Sequence, residues 1–86
     1  MSYKTEILEK VCYTKLVYGR INKKLKLNLS EGKIEELVLK IIQETPEDDF
    51  LKKGKNIYIC NKKRNISLTI NSYTTRIITA DLIKKE

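Results

Sequence analysis

Apolar residues recur along this 86-residue chain in two rhythms, helical in the first half and alternating in the second. Over residues 3–27, Ile7, Val11, Tyr18, Ile21 and Leu25 fall on one stripe at helical spacing. Arg20, Lys23 and Lys24 lie off that stripe, and so do Tyr13, Leu16 and Val17 beside them. The central turns therefore carry apolar groups on two sides. One reading is a kink or break near Thr14 or Gly19 that turns both sets to the core, since Gly costs about 1 kcal/mol in a helix interior. The other is an exposed apolar patch, Tyr13, Leu16 and Val17, for a partner or a second subunit.

"LNLSEGKIEELVLKIIQETP" holds the clearest helix. Ser30 is placed to cap it, with Glu31 at the positive end of the helix dipole. The capping box is incomplete, because position 33 is Lys. Ile34, Leu37, Val38, Ile41 and Ile42 follow i, i+3, i+4, i+7, i+8 and form a one-sided core stripe. Pro46 disfavours helix at Thr45 and marks the stop.

Beyond Pro46 the period becomes two. "NIYIC" puts Ile57 and Ile59 on one face and Tyr58 and Cys60 on the other. After the polar turn "NKKRN", Ile66, Leu68 and Ile70 alternate with Ser67, Thr69 and Asn71. A turn at "NSYT" leads to a third strand over 75–80, and "FLKKGKN" gives either an irregular edge strand or a loop. Two helices followed by a meander predict an α+β fold. Two N-terminal helices pack on one face of a three-stranded antiparallel sheet, with a fourth strand if "FLKKGKN" joins it. Residues 1–86 form one domain, since domains run to about 100–150 residues. The far sheet face, with Tyr58, Cys60, Ser67, Thr69 and Asn71, is expected to be wet, with the basic turns 52–55 and 61–64 flanking it.

Charge sharpens this picture. Eighteen Lys and Arg against eleven Asp and Glu give a net +7. No acid lies between Glu9 and Glu31, nor between Asp49 and Asp81. Such a balance favours polyanionic partners: RNA, DNA, a ribonucleoprotein or an acidic protein surface. The chain has no histidine, which excludes His-based catalysis and His-containing zinc sites. Cys12 and Cys60 stand 48 residues apart, neither a disulfide framework nor a zinc motif, and read most simply as small core residues. The start "MSYKTEILEK" is charged where a signal peptide is apolar, and no apolar run approaches the roughly 20 residues that span a bilayer. A cytoplasmic location with reduced thiols is expected, without membrane association and without metal or other cofactor.

Four groups carry candidate chemistry. Lys52, Lys53, Lys55, Lys62, Lys63 and Arg64 place six cations in thirteen residues, with Tyr58 between them as a ring on which a base can stack. They equally suit a solubilising hairpin tip. Arg20, Lys23 and Lys24 share a helix face and repel one another unless an anion or an acid such as Glu35 or Glu36 sits there. "PEDDF" sets acids side by side without the spacing of a calcium loop, and reads as a solvated turn. Arg76, near Tyr73 at the start of the last strand, has two settings. It points inward if Ile78 and Ala80 face the helices, and needs Asp81 or Asp49. It joins the wet face if Ile77 and Thr79 do, where it can grip a phosphate bidentately.

"CYTKLVYGRINKKL" and "GKNIYICN…LTINSYTTRIITAD" resemble a small uncharacterised family of low-GC Gram-positive bacteria. The element order and the ending "RIITA" are also similar to the RelE/ParE toxin-like superfamily. That second resemblance implies metal-independent cleavage of messenger RNA. Arg76 would stabilise the transition state, Lys52 or Lys53 would act as base, and Tyr58 or Tyr73 would orient the substrate. The chain departs from it in having no Tyr or His after the last strand. Three expectations follow. The first is a non-enzymatic basic module from a mobile-element or toxin and defence context, docking on nucleic acid or a ribonucleoprotein as an inhibitor or regulator in the manner of anti-CRISPR proteins. The second is a RelE-like endoribonuclease. The third is a homodimeric interaction domain.

Overall fold

The structure, a computed structural model, describes residues 3–83, the side chain of Tyr3 excepted. Three helices precede the sheet: α1 (Tyr3–Lys10), α2 (Val17–Leu25) and α3 (Glu31–Glu44). A 3-10 turn at Glu47–Asp49 leads into β1 (Phe50–Lys53), β2 (Asn56–Asn61), β3 (Ile66–Asn71) and β4 (Ile77–Leu82). The strands form one antiparallel meander in the order β1-β2-β3-β4. The fold is α+β as expected, with "FLKKGKN" supplying the edge strand β1 and its turn.

The first expected helix is two, and its break has a tertiary cause. At Cys12 the backbone leaves the helix to pair with the start of β4. The Cys12 N–H donates to Thr75 O at 3.0 Å, and the Ile77 N–H donates to Cys12 O at 3.0 Å. The break falls beside Thr14, and Gly19 lies inside α2. It turns both apolar sets inward. Val17, Ile21 and Leu25 are buried, and Tyr13 stacks on Tyr18 with ring centroids 5.6 Å apart. Two members of the expected interface patch, Tyr13 and Val17, therefore belong to or pack on the core, and Leu16 alone stands out. Cys12 is not a core residue either. Its pairing holds it at the sheet margin, exposed, and Cys60 is half-buried on the far sheet face.

The third helix follows its sequence closely. Ser30 Oγ accepts from the Lys33 N–H at 3.3 Å, satisfying one of the orphan donors of the first turn. Ile34, Val38, Ile41 and Ile42 are buried, and Leu37 packs partly against them. Each such side chain stabilises the fold by roughly 1.5–3 kcal/mol. At the far end Thr45 donates its hydroxyl to Ile41 O at 2.6 Å before Pro46 ends the helix.

One sheet face meets the helices through Ile57, Ile59, Leu68, Ile70, Ile77 and Ala80. Simple alternation cannot bury both Ile77 and Ala80. A bulge resolves this: Ile70 pairs with Ile77 while Thr69 pairs with Thr79, so Ile78 is the extra residue. Helix α2 lies beside the outer strand β4, where Arg20 Nη1 donates to Ile78 O at 3.3 Å and Lys24 pairs with Asp81 at 3.2 Å. That arrangement protects a sheet edge. No helix among the described residues is long and apolar enough to cross a membrane.

Candidate functional site

The second sheet face contributes nothing to the hydrophobic core. Register assigns its residues in rows across the strands. One row runs Lys53, Asn56, Asn71 and Arg76, linked by the Lys53–Asn56 and Asn56–Asn71 pairs and by the Asn71 N–H donating to Arg76 O at 2.9 Å. The next runs Leu51, Tyr58, Thr69 and Thr79. A third holds Cys60, Ser67 and Asp81. This face is made largely of amides and hydroxyls with one aromatic ring, and its cations stand at one end; it is less wet than expected, because Thr69 is buried, the Thr79 hydroxyl is out of reach of solvent, and Tyr58, Cys60, Ser67 and Asn71 are half-buried.

Two turns build that end. Gly54 takes φ +59° and lets β1 fold back on β2 in the left-handed conformation that Cβ disfavours. Asn71 shapes the β3–β4 turn by accepting from the Tyr73 and Thr74 N–H groups at 2.8 and 3.0 Å. The turns are joined directly, for the Ser72 N–H donates to Lys55 O at 2.7 Å. Lys52, Lys53, Lys55, Tyr73 and Arg76 are all exposed there, Tyr73 by 73%. No carboxylate pairs with any of these four cations among the described residues.

Arg76 therefore takes the wet-face setting. Its partner in the first setting, Asp81, is held by Lys24, and Asp49 lies 3.7 Å from Lys62. Lys52 and Lys53 point to opposite sides of β1. Lys53 is on the open face, whereas Lys52 is level with Ile57 and lines a cleft of about 100 Å³ with Glu6, Ser72 and Tyr73. Tyr58 is half-buried on the open face, where the Asn56 amide reaches its hydroxyl at 3.5 Å.

The second basic turn is elsewhere. In a meander the β2–β3 turn lies at the other end of β2 from the β1–β2 turn, and six residues at about 3.3 Å each separate them. Lys62, Lys63 and Arg64 therefore do not form one cluster with Lys52, Lys53 and Lys55. They also stand among acids. Arg64 makes a two-pronged contact with Glu44, Nε and Nη2 both at 2.8 Å. Hydrogen bonding from Arg64 holds the Glu44 carboxyl down at about 2, and Arg64 is itself raised by the same bond. Asn61, buried beneath, donates to Thr45 Oγ1 at 3.0 Å and accepts from the Arg64 N–H at 2.8 Å. Only Lys63 of that turn is without an ion-pair partner among the described residues.

Helix α2 keeps its basic face, but not by pairing with α3. Glu35 accepts from the Tyr18 hydroxyl at 2.6 Å, a bond that together with burial pushes Tyr18 up to about 12, and Glu36 pairs with Lys33 at 3.8 Å. Burial, then the nearby Glu35 charge, raises the Tyr13 phenol. Arg20 and Lys24 reach β4 instead, and Lys23 is left to solvent. The acids of "PEDDF" sit on the 3-10 turn, and no group of three potential metal ligands converges among the described residues.

Sequence reading missed Asn56. Its signal was present: a two-residue turn at Gly54–Lys55 fixes the register and puts Asn56 opposite Lys53.

Neither a curated protein nor a solved structure matches the chain. The sequence model of the family described as "Protein of unknown function (DUF3781)" matches residues 5–81, a span that takes in α1 from its third residue, α2 and α3 whole, and the sheet nearly to the end of β4. The chain belongs to that family.

Proposed function

We propose that this protein is a basic docking module whose open sheet face, and the joined turns at its end, bind a nucleic acid or ribonucleoprotein. The observation that carries this reading is the contrast in charge pairing. Lys53, Lys55 and Arg76 gather without a carboxylate partner among the described residues, with Lys52 likewise unpaired on the other side of β1, beside exposed Tyr73 and a face of amides and hydroxyls. Unpaired cations that the fold does not use for stability suit phosphates, which release counterions on binding. Tyr73 and Tyr58 offer rings to unstacked bases. Such a surface suits an inhibitor or regulator that masks its target. The free thiols Cys12 and Cys60 fit work in the reducing cytoplasm.

The test is a titration of the full chain with a labelled single-stranded RNA of about 20 nucleotides at several salt concentrations. Affinity is expected to fall steeply with salt, and Lys53→Glu and Arg76→Glu to weaken it while Lys62→Glu has little effect. Binding that ignores salt, or that depends equally on Lys62, overturns the reading.

A metal-independent endoribonuclease, the second reading, draws support from Lys53, Tyr58 and Arg76 sharing one face. In this reading Lys53, rather than Lys52, is the base. Expression is then expected to arrest translation, and Arg76→Ala to relieve the arrest. Growth unaffected by the intact protein would remove this alternative.

A further inference from the structure

Helix α2 carries two residues that the fold does not require. Leu16 occupies its N-cap position, makes no capping hydrogen bond, and is 80% exposed. A leucine is among the poorest N-caps, and an exposed one adds nothing to the core. One turn on, Gly19 sits within the helix, yet a Cβ there would meet nothing within 4 Å. Alanine would fit and favour the helix. Both residues share one open face of α2 with Arg20, Lys23 and Lys24.

Charge and shape together select an occupant. The Gly19 backbone lets another chain approach closely, and Leu16 supplies an apolar contact beside it. Three cations form the rim, and α2 contains no acid. Arg20 and Lys24 are held in place by Ile78 O and Asp81, while Lys23 is unpaired among the described residues. A phosphate backbone would satisfy the cations and leave Leu16 unmatched. A second copy docked by twofold symmetry would set this basic rim against itself. An amphipathic segment with acidic flanks matches both features. We propose that the outer face of α2 docks an acidic amphipathic helix of a partner protein, on a surface separate from the sheet face.

The probe is a labelled synthetic helix of about 18 residues with leucines at helical spacing and glutamates on both flanks, titrated into the full chain. Saturable binding is expected, weakened about tenfold or more by Leu16→Ser, by Gly19→Leu and by Lys23→Glu, each with an unchanged thermal melt or, for Gly19→Leu, a higher one. The double variant Lys53→Glu, Arg76→Glu is expected to bind the peptide normally, which separates this proposal from the RNA reading. The inference is overturned if the peptide does not saturate, if a lysine-for-glutamate peptide binds as well, or if Leu16→Ser and Gly19→Leu leave binding intact. A dimer in sedimentation that Leu16→Ser dissociates would also overturn it and assign this face of α2 to a second copy. Loss of RNA affinity in Leu16→Ser would overturn it and assign the face to nucleic acid.

Discussion

The two ends of the sheet carry similar sequences and opposite electrostatics. At the β2–β3 end, Arg64 grips Glu44, Lys62 lies near Asp49, and Asn61 ties the turn to the end of α3. At the β1–β2 end, Lys52, Lys53, Lys55 and Arg76 have no ion-pair partner among the described residues. At each end an asparagine that accepts from the backbone shapes a turn, Asn61 between β2 and β3 and Asn71 between β3 and β4. The difference is what lies behind them. The C-terminus of α3 and the 3-10 turn bring carboxylates to one end, whereas among the described residues the other end has Glu6, which lies 3.6 Å from Lys10. Similar basic runs thus meet carboxylates in one place, through Arg64 and Lys62, and stand unpaired among the described residues in the other.

The sharpest way to break this contrast is charge reversal. Lys53→Glu with Arg76→Glu is expected to lower RNA affinity by about a hundredfold and to reduce the salt slope by about one for each phosphate no longer neutralised, with the melting temperature unchanged. Equal losses from Lys62→Glu with Lys63→Glu would erase the distinction between the ends. The complementary experiment removes a tie. Asn61→Ala leaves buried polar atoms of Thr45 and the turn unmatched, so it is expected to cost about 1–3 kcal/mol in urea unfolding while the folded fraction binds RNA normally. A smaller effect is expected from Glu44→Gln, which should lower the melting temperature because Arg64 loses its charged acceptor.

The last prediction concerns pH. Glu44 holds its proton more weakly folded, at about 2, than its ordinary 4.5. The unfolded chain therefore takes up more protons as pH falls. The stabilisation is present above about 4.5 and is lost progressively toward about 2. Urea midpoints across that range are expected to fall more for the native chain than for Glu44→Gln. Identical pH profiles would mean that the Arg64 contact contributes nothing to stability.

Local patterns made much of the fold legible. The stripe of α3, its Ser30 cap and its Pro46 stop are all nearest-neighbour signals, and so is the alternation in β2 and β3. Three features were not legible, each for a non-local reason. The break near Thr14 was one of two readings the sequence offered, but its cause was not, since it depends on Thr75 and Ile77 offering backbone partners to Cys12. The bulge at Ile78 changes which side of β4 faces the core, and Ile77–Ile78 reads the same in sequence with or without it. The pairing of Arg64 and Lys62 with Glu44 and Asp49 required the position of α3 over the sheet. For the candidate surface, residue types were readable, but their division between two sheet ends came only from the meander's topology.

The parallel pairing of Cys12 with the start of β4 also has a consequence for the order of assembly. These backbone groups lie 63 positions apart in the chain. Helix α3 and the β2–β3 hairpin close over short loops and can organise as synthesis proceeds. The segment joining α1 to α2 has no such freedom, because its docking partner follows α3 and the β2–β3 hairpin in the chain. Closing that long loop sets the contact order high for this segment, so it settles after elements that are made later than it is.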